Sequence, residues 1–226
     1  MKTIISLCDY TGIMVKPWVD AGYKAVLVDP QHDGHTDDGK IERIPLFLID
    51  AMARLGEIIR TQDVCFVAGF PPCTDVAVSG AAHFESKFLK DKHYQAKAAL
   101  IAEQCRSVGI LSGAPWFFEN PVSVFSSIFG KPDFCFDPFE YGGYLPENDV
   151  HPDYPDIINP RDAYPKKTCL WSGNGFVLPD KKPVSIDAGY SNQHKMLGGK
   201  SLRTKNIRSA TPRGFAQAVF EKYGKL

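Results

Sequence analysis

Between residues 3 and 121 the chain repeats one alternation, a short apolar run followed by a stretch with helical spacing. TIISLC (3–8), YKAVLVD (23–29), the run from Val64 to Ala68, and PWFFENP (115–121) read as strands. The segment after the DYTG turn, through Val19 and Ala21 to Gly22, reads as a helix. So do PLFLIDAMARLGEIIR (45–60), with Pro45 placed for its first turn, and HYQAKAALIAEQCRSVGIL (93–111). This alternation predicts an α/β fold, a mostly parallel sheet with helices on both faces. In such sheets ligands bind beyond the carboxyl ends of the strands. Asp9 and Gly12, Asp29, Pro71 to Cys73, and Glu119 to Pro121 fall at four such ends.

After Pro121 the pattern changes. Residues 131–165 are rich in Pro, Asp, Tyr and Gly, with one candidate strand at 134–142. KTCLW (167–171) resumes strand character, and RGFAQAVFEKY (213–223) predicts a final helix packed on the sheet. We expect one domain over 1–226 with an irregular acidic insertion at about 131–165. From Asp133 to Asp162 there are eight acidic residues and one basic residue, Arg161. From Ala188 to Phe220 there is no acid, against Lys195, Lys200, Arg203, Lys205, Arg208 and Arg213. Such a segment suits an anionic partner, and equally a solvated surface balanced by the acidic stretch. GGKS (198–201) is not a phosphate loop, because His194 stands where that motif needs glycine and no strand precedes it.

No apolar run reaches the roughly 20 residues of a membrane span. The apolar start, broken by Asp9, is too short for a secretory signal, so a cytoplasmic location is expected. The six cysteines are scattered without a C-x-x-C pair, which speaks against a disulfide framework or a cysteine zinc site. Cys8, Cys65 and Cys105 read as buried structural thiols. His32 and His35, in QHDGH, read as a polar solvated loop, and no metal is expected.

Two strand ends carry chemistry. Pro71 and Pro72 stiffen the approach to Cys73, while Thr74, Ser79 and Gly80 predict a polar, mobile loop after it. A rigid arm tipped by a thiol suits a nucleophile, and equally a turn holding an incidental buried thiol. Glu119 emerges from PWFF, where desolvation favours the neutral, proton-donating carboxyl. A thiolate adding to an electron-poor ring needs such an acid as charge develops on a ring nitrogen. The turn LCDYTG (7–12), with Asp29 at the next strand end, has the shape of a nucleoside-cofactor loop, although it lacks G-x-G-x-x-G.

PPC after a strand and ENP some 45 residues later resemble the signature motifs of the cytosine-5 DNA methyltransferases. SLCDYTG with PWVDAGY and VLVD, PPCTDVAVSG, PWFFENPVS, YPKKTCLW and RSATPRGFAQAVF are similar, in order, to short phage-type members, whose site of action would be the host cytoplasm. The resemblance implies a Rossmann-like S-adenosylmethionine-dependent methyltransferase fold with a reduced or absent target-recognition domain. It implies that Cys73 attacks C6 of cytosine and that Glu119 holds and protonates N3, with Asn120 bracing the Cys73 loop and Pro72 shaping it. Lys167 and Thr168 take the position of the family's basic motif. Asp9, Tyr10, Thr11, Gly12 and Pro71 fall with the cofactor, and Asp29 on its ribose. Asp37, Asp38 and Glu42 are candidates for an acidic contact to the adenine. The partner is DNA or a free cytosine nucleotide, unless the chain is a non-catalytic nucleotide- or DNA-binding module. Amino-group methyltransferases carry an aromatic residue where this chain has Cys73.

Overall fold

The computed structural model describes residues 1–186, 192–198 and 201–224, except the side chains of residues 194 and 195. Gly199 and Lys200 of the GGKS stretch, and the Lys195 side chain, lie outside that description. The elements in order are β1 (Lys2–Leu7), α1 (Lys16–Asp20), β2 (Lys24–Val28), β3 (Thr36–Asp37), β4 (Ile41–Ile44), α2 (Leu48–Thr61) and β5 (Asp63–Gly69). Next come α3 (Phe84–Lys90), α4 (Tyr94–Ser112), β6 (Trp116–Pro121), α5 (Phe125–Ile128), β7 (Phe134–Phe136) and β8 (Thr168–Gly173). The chain closes with α6 (Asn192–Met196), α7 (Leu202–Ser209) and α8 (Arg213–Tyr223). Among the described residues no helix is long and apolar enough to cross a membrane.

The chain divides into two compact units. The first comprises Met1–Tyr10, Trp18–Cys135 and Thr168–Val177, and is built on a sheet of order β3-β4-β2-β1-β5-β6-β8-β7. β4, β2, β1, β5 and β6 run parallel, while β3 is antiparallel to β4 and β8 to β6. The chain lays strands outward from β1 through β2 to β4, then returns to place β5 on the other side of β1. The strand order therefore reverses between β1 and β5, which puts the ligand crevice of such a sheet outside their carboxyl ends.

Period-2 alternation assigns the two faces of this sheet. Ile5, Leu7, Val26, Val28, Val67, Phe118 and Trp171 share a core with Leu48, Ala51, Leu55 and Ile58 of α2 and Ala98, Ala102, Cys105 and Val108 of α4. Each such aliphatic side chain contributes roughly 1.5–3 kcal/mol on burial. Gly69 lets α4 sit directly on the end of β5, because a Cβ there would lie 2.8 Å from Cys105 Cβ and 3.2 Å from Phe118 Cβ. On the opposite face Phe66 packs against Trp18 of α1 at 5.5 Å and edge-on to Phe117 at 5.8 Å. The sheet is mostly parallel, with α2 and α4 on one face and Trp18 of the short α1 on the other.

Several local readings change. Residues 36–44, given no element in the sequence reading, form the β3–β4 hairpin. α2 begins at Leu48, so Pro45 belongs to the extended exit from β4 rather than to a first helical turn. The stretch around Ser79 and Gly80 forms a 3₁₀ turn, Val78–His83, running into α3. The candidate strand at 134–142 is a strand only over Phe134–Phe136, because Pro138 starts a 3₁₀ turn that extends to Tyr144.

The second unit comprises Thr11–Pro17, Phe136–Lys167 and Leu178–Leu226. The acidic excursion thus has a core of its own, shared with the C-terminal segment. Phe215 of α8 stacks on Phe136 at 4.1 Å and meets Tyr141 edge-on at 5.2 Å. Ile158, Tyr164, Ile207 and Ala210 form a further apolar cluster. Much of the acidity is spent internally. Asp149 takes a bidentate grip from Arg213, Asp137 accepts from Lys166 N at 2.7 Å, and Asp162 accepts from Gly214 N at 2.8 Å.

Two buried groups of this unit titrate in opposite senses. Burial, aided by the Arg213 charge, lowers His151 to about 4, and its Nδ1 accepts from Asp153 N and Tyr154 N. Burial pushes Asp162 up to about 6 in spite of the bond from Gly214 N. The unfolded chain protonates His151 near 6.5, so its contribution is complete above that pH and is lost as pH falls towards 4. The folded chain holds a proton on Asp162 that the unfolded chain releases near 3.8, so this group gains stability as pH falls through 6. The two effects, each about 2 kcal/mol after solvent screening, offset one another. Asp162→Asn should therefore make stability fall by about 2 kcal/mol more between pH 6.5 and 4 than in the native chain. Urea unfolding at several pH values checks this, and parallel pH profiles for the two proteins refute it.

Candidate active site

The first unit brings two groups of predicted residues to the carboxyl edge of its sheet. β5 and β6 are paired in parallel with Gly69 beside Phe118, so the chain leaves β5 at the level of Glu119. Phe70 N donates to Leu7 O at 2.9 Å and holds that exit against β1. Pro71 is buried, Pro72 is exposed and Cys73 is half-buried. On β6 alternation puts Asn120 on the face of Phe118, and Glu119 on the face of Phe117. Asn120 Nδ2 donates to Pro71 O at 2.9 Å, a buried bond joining the two strand ends. Oδ1 of the same side chain, which is 1 % exposed, has no hydrogen-bond partner among the described residues.

The segment after Cys73 is fastened to the segment after Glu119. Val76 N and Ala77 N both donate to Cys73 O, at 3.1 and 2.9 Å, closing a turn just behind the thiol. Val78 N donates to Val122 O at 2.9 Å, Val124 N donates to Val76 O at 3.0 Å, and Ala77 bridges Ser123 in antiparallel sense. Lys87 of α3 reaches back to Thr74 O at 2.6 Å and to Asp75 at 2.8 Å. The turn expected to be mobile is instead laced from both sides. Half-buried Glu119 lies opposite Leu170 of β8, and buried Thr168 opposite Pro121.

The second group lies at the ends of β1 and β2. Asp9 is buried and accepts from Ser6 Oγ at 2.8 Å. Cys8 adopts a left-handed φ of 56° as its N–H donates to Val28 O at 2.7 Å, a conformation that strains a non-glycine residue by about 1–3 kcal/mol. Asp29 is buried, and burial raises its pKa with help from the Asp9 charge, against the hydrogen bond from Gln31 N and the charge of His32. His32 is 8 % exposed, and Tyr10, half-exposed, places its ring 5.9 Å away. Burial keeps His32 below its usual pKa, and its buried Nε2 has no hydrogen-bond partner among the described residues. The sequence reading of His32 as solvated loop is therefore corrected, whereas the His35 side chain is 60 % exposed. Among the described residues no group of three or more His, Cys, Asp or Glu could hold a metal ion.

Thr11 and Gly12 belong to the second unit, where Ile13 N donates to Thr11 Oγ1 at 3.3 Å and Gly12 takes a φ of 68°. Lys167 is exposed in the same unit. The three acids suggested for the adenine are occupied within the β3–β4 hairpin. Asp37 pairs with Lys24 at 2.8 Å, and Asp38 accepts from Lys40 N and Ile41 N. Glu42 is 0 % exposed, two residues short of the end of β4, and binds Arg54 of α2 through both oxygens at 2.9 and 3.1 Å. Burial opposes its ionisation, but Arg54, His35 and Lys24 outweigh that and hold the carboxyl below its usual range. All three pairings are structural.

Geometrically, the switch point offers two buried carboxylates beside an unsatisfied imidazole nitrogen, and next to them a thiol on a braced arm with a carboxyl at the adjoining strand end. The first set suits the hydroxyls of a nucleoside, because carboxylates accept from them and a neutral imidazole can donate or accept. The second suits addition of a nucleophile to a ring that must gain a proton. No protein-family model matches the chain, and no curated protein is significantly similar to it in sequence.

Proposed function

We propose that the chain methylates C5 of cytosine in DNA with S-adenosylmethionine as the donor. The observation that carries this reading is the Asn120–Pro71 bond, which sets the Cys73 arm and the Glu119 strand end side by side next to the switch point. Buried Asp9 and Asp29, with the unpartnered Nε2 of His32, fit a ribose and its neighbouring polar groups, and Tyr10 offers a half-exposed ring beside them. Bound there, S-adenosylmethionine supplies an electrophilic methyl group. Cys73 adds as thiolate to C6 of the base, and Glu119 gives its proton to N3, so the electrons pushed into the ring collect at C5. After C5 is methylated it gives its proton to a water, the C6–S bond breaks, N3 returns its proton to Glu119 and Cys73 leaves as thiolate. Asn120 holds the arm in place throughout.

DNA as the carrier of the cytosine is supported by α7, which exposes Arg203, Lys205 and Arg208 with no acid in the helix. It is also supported by the ion pairs of Asp149 with Arg213 and of Glu140 with Lys181, which reduce the repulsion that the acidic excursion would present to phosphates. The test is methyl transfer from labelled S-adenosylmethionine to duplex DNA, single-stranded DNA and a cytosine mononucleotide in parallel. Transfer to DNA, falling steeply with added salt, is the expected result. Transfer to the mononucleotide alone would restrict the chemistry to a free nucleotide. Cofactor binding without transfer to any of the three would make the chain a binding module and end the catalytic reading.

A further inference from the structure

The scattered cysteines argue against a disulfide framework, yet the fold brings two of them together across 34 positions of sequence. Cys135 at the exposed edge of β7 and buried Cys169 on β8 have their sulfur atoms 3.4 Å apart. The backbone on either side is pinned. Asp133 N donates to Leu170 O at 2.9 Å, the Asp133 carboxylate accepts from Ser172 N at 2.7 Å, and Trp171 Nε1 donates to Gly130 O at 2.9 Å. The two sulfurs are thus already in contact, and a bond needs them to close to about 2 Å.

We propose that Cys135 and Cys169 are a redox-modification site, closing as a reversible disulfide when the chain meets a hydroperoxide. The exposed Cys135 thiolate attacks the peroxide, the O–O bond breaks, and a sulfenic acid forms as hydroxide leaves and takes up a proton. Cys169 then attacks that sulfur, the S–O bond breaks, and the departing hydroxide takes the Cys169 proton to leave as water. Two thiols lose two electrons and two protons, and hydrogen peroxide becomes two waters. A dithiol reductant reverses the bond.

The remaining thiols explain why this pair is singled out. Burial raises Cys65 to about 11, and its thiol donates to Thr3 O. Cys105 is buried against Cys8 and is held well above its usual range. Cys135 is the exposed thiol, with a partner already in contact. The bond would close the neck through which residues 136–167 leave and re-enter the sheet, removing a large loop from the freedom of the unfolded chain. This inference is independent of the proposed methyl transfer.

The experiment treats the full chain with stoichiometric hydrogen peroxide, alkylates the remaining thiols, and maps the digest by mass spectrometry without reduction. A linked Cys135–Cys169 peptide should dominate, disappear with dithiothreitol, and be absent from Cys135→Ser, whose exposed position spares the fold. The oxidised native chain should melt about 5 °C or more above the reduced chain, with no such shift in Cys135→Ser. A dominant crosslink through Cys73, or one between Cys8 and Cys105, overturns the proposal. So does a treated chain in which Cys135 and Cys169 are still alkylated separately.

Discussion

Cys73→Ala is expected to abolish the covalent adduct with DNA carrying 5-fluorocytosine, and to lower methyl transfer by about 10³-fold or more. The fluorine blocks the last proton loss, so the native chain stops with its sulfur bonded to C6 and migrates as a stable complex on a denaturing gel. The alanine variant should retain the fold. The arm is held by backbone bonds from Val76 and Ala77 to residue 73 and by Asn120 on Pro71, none of which uses the thiol. Cofactor affinity should therefore stay within about twofold of native, which separates loss of the nucleophile from collapse of the crevice. An adduct that persists in this variant would remove Cys73 from the mechanism.

The second large effect is at Glu119. Glu119→Gln keeps the shape and one hydrogen-bonding oxygen but cannot give up a proton. Turnover should fall by about 10²- to 10⁴-fold, the usual worth of a positioned general acid, with cofactor affinity nearly unchanged. Glu119 lies on the sheet face opposite Asn120, so the substitution leaves the brace to Pro71 in place. Single-turnover measurement on DNA gives the rate, and calorimetric titration of S-adenosylmethionine gives the affinity. A variant with native turnover would leave Glu119 without a part in the reaction.

What could be read from the sequence follows from how locally each feature is encoded. Strands β1, β2, β5, β6 and β8 are contiguous apolar runs, and α4 and α8 carry their spacing in their own residues. All lie within a residue or two of their predicted bounds. PPC and ENP announce themselves because proline restricts backbone and because a carboxyl after four apolar residues is conspicuous. His32 sat in a string of polar neighbours with no periodicity. Tyr10, which packs beside its ring, reaches it only after β1 and β2 have paired. The β3–β4 hairpin was hidden for a related reason. Lys40, Glu42 and Arg43 break up any apolar run there, and Glu42 is sealed by Arg54 from the following helix, a neutralisation that no local pattern displays. α3 was missed because Gly80 and Ser79 signal a loop, while the order that follows depends on Lys87 reaching back to Asp75. The excursion, irregular in sequence, owes its core to Phe215 and Ile207 from the far end of the chain.

The ladder joining Ala77 to Ser123, with its flanking bonds between Val78 and Val122 and between Val124 and Val76, has a consequence for how this architecture can vary. It makes the spacing of thiol and carboxyl independent of the intervening helices, like a clasp fastened across the mouth of a bag. The connection around Asp91 and Lys92 could be lengthened, shortened or exchanged for another sequence without retuning the distance on which the chemistry depends. A single residue inserted between Cys73 and Val76 would instead unfasten the clasp. Variation in such chains should thus gather in the outer part of the connection and stop abruptly at the turn behind Cys73.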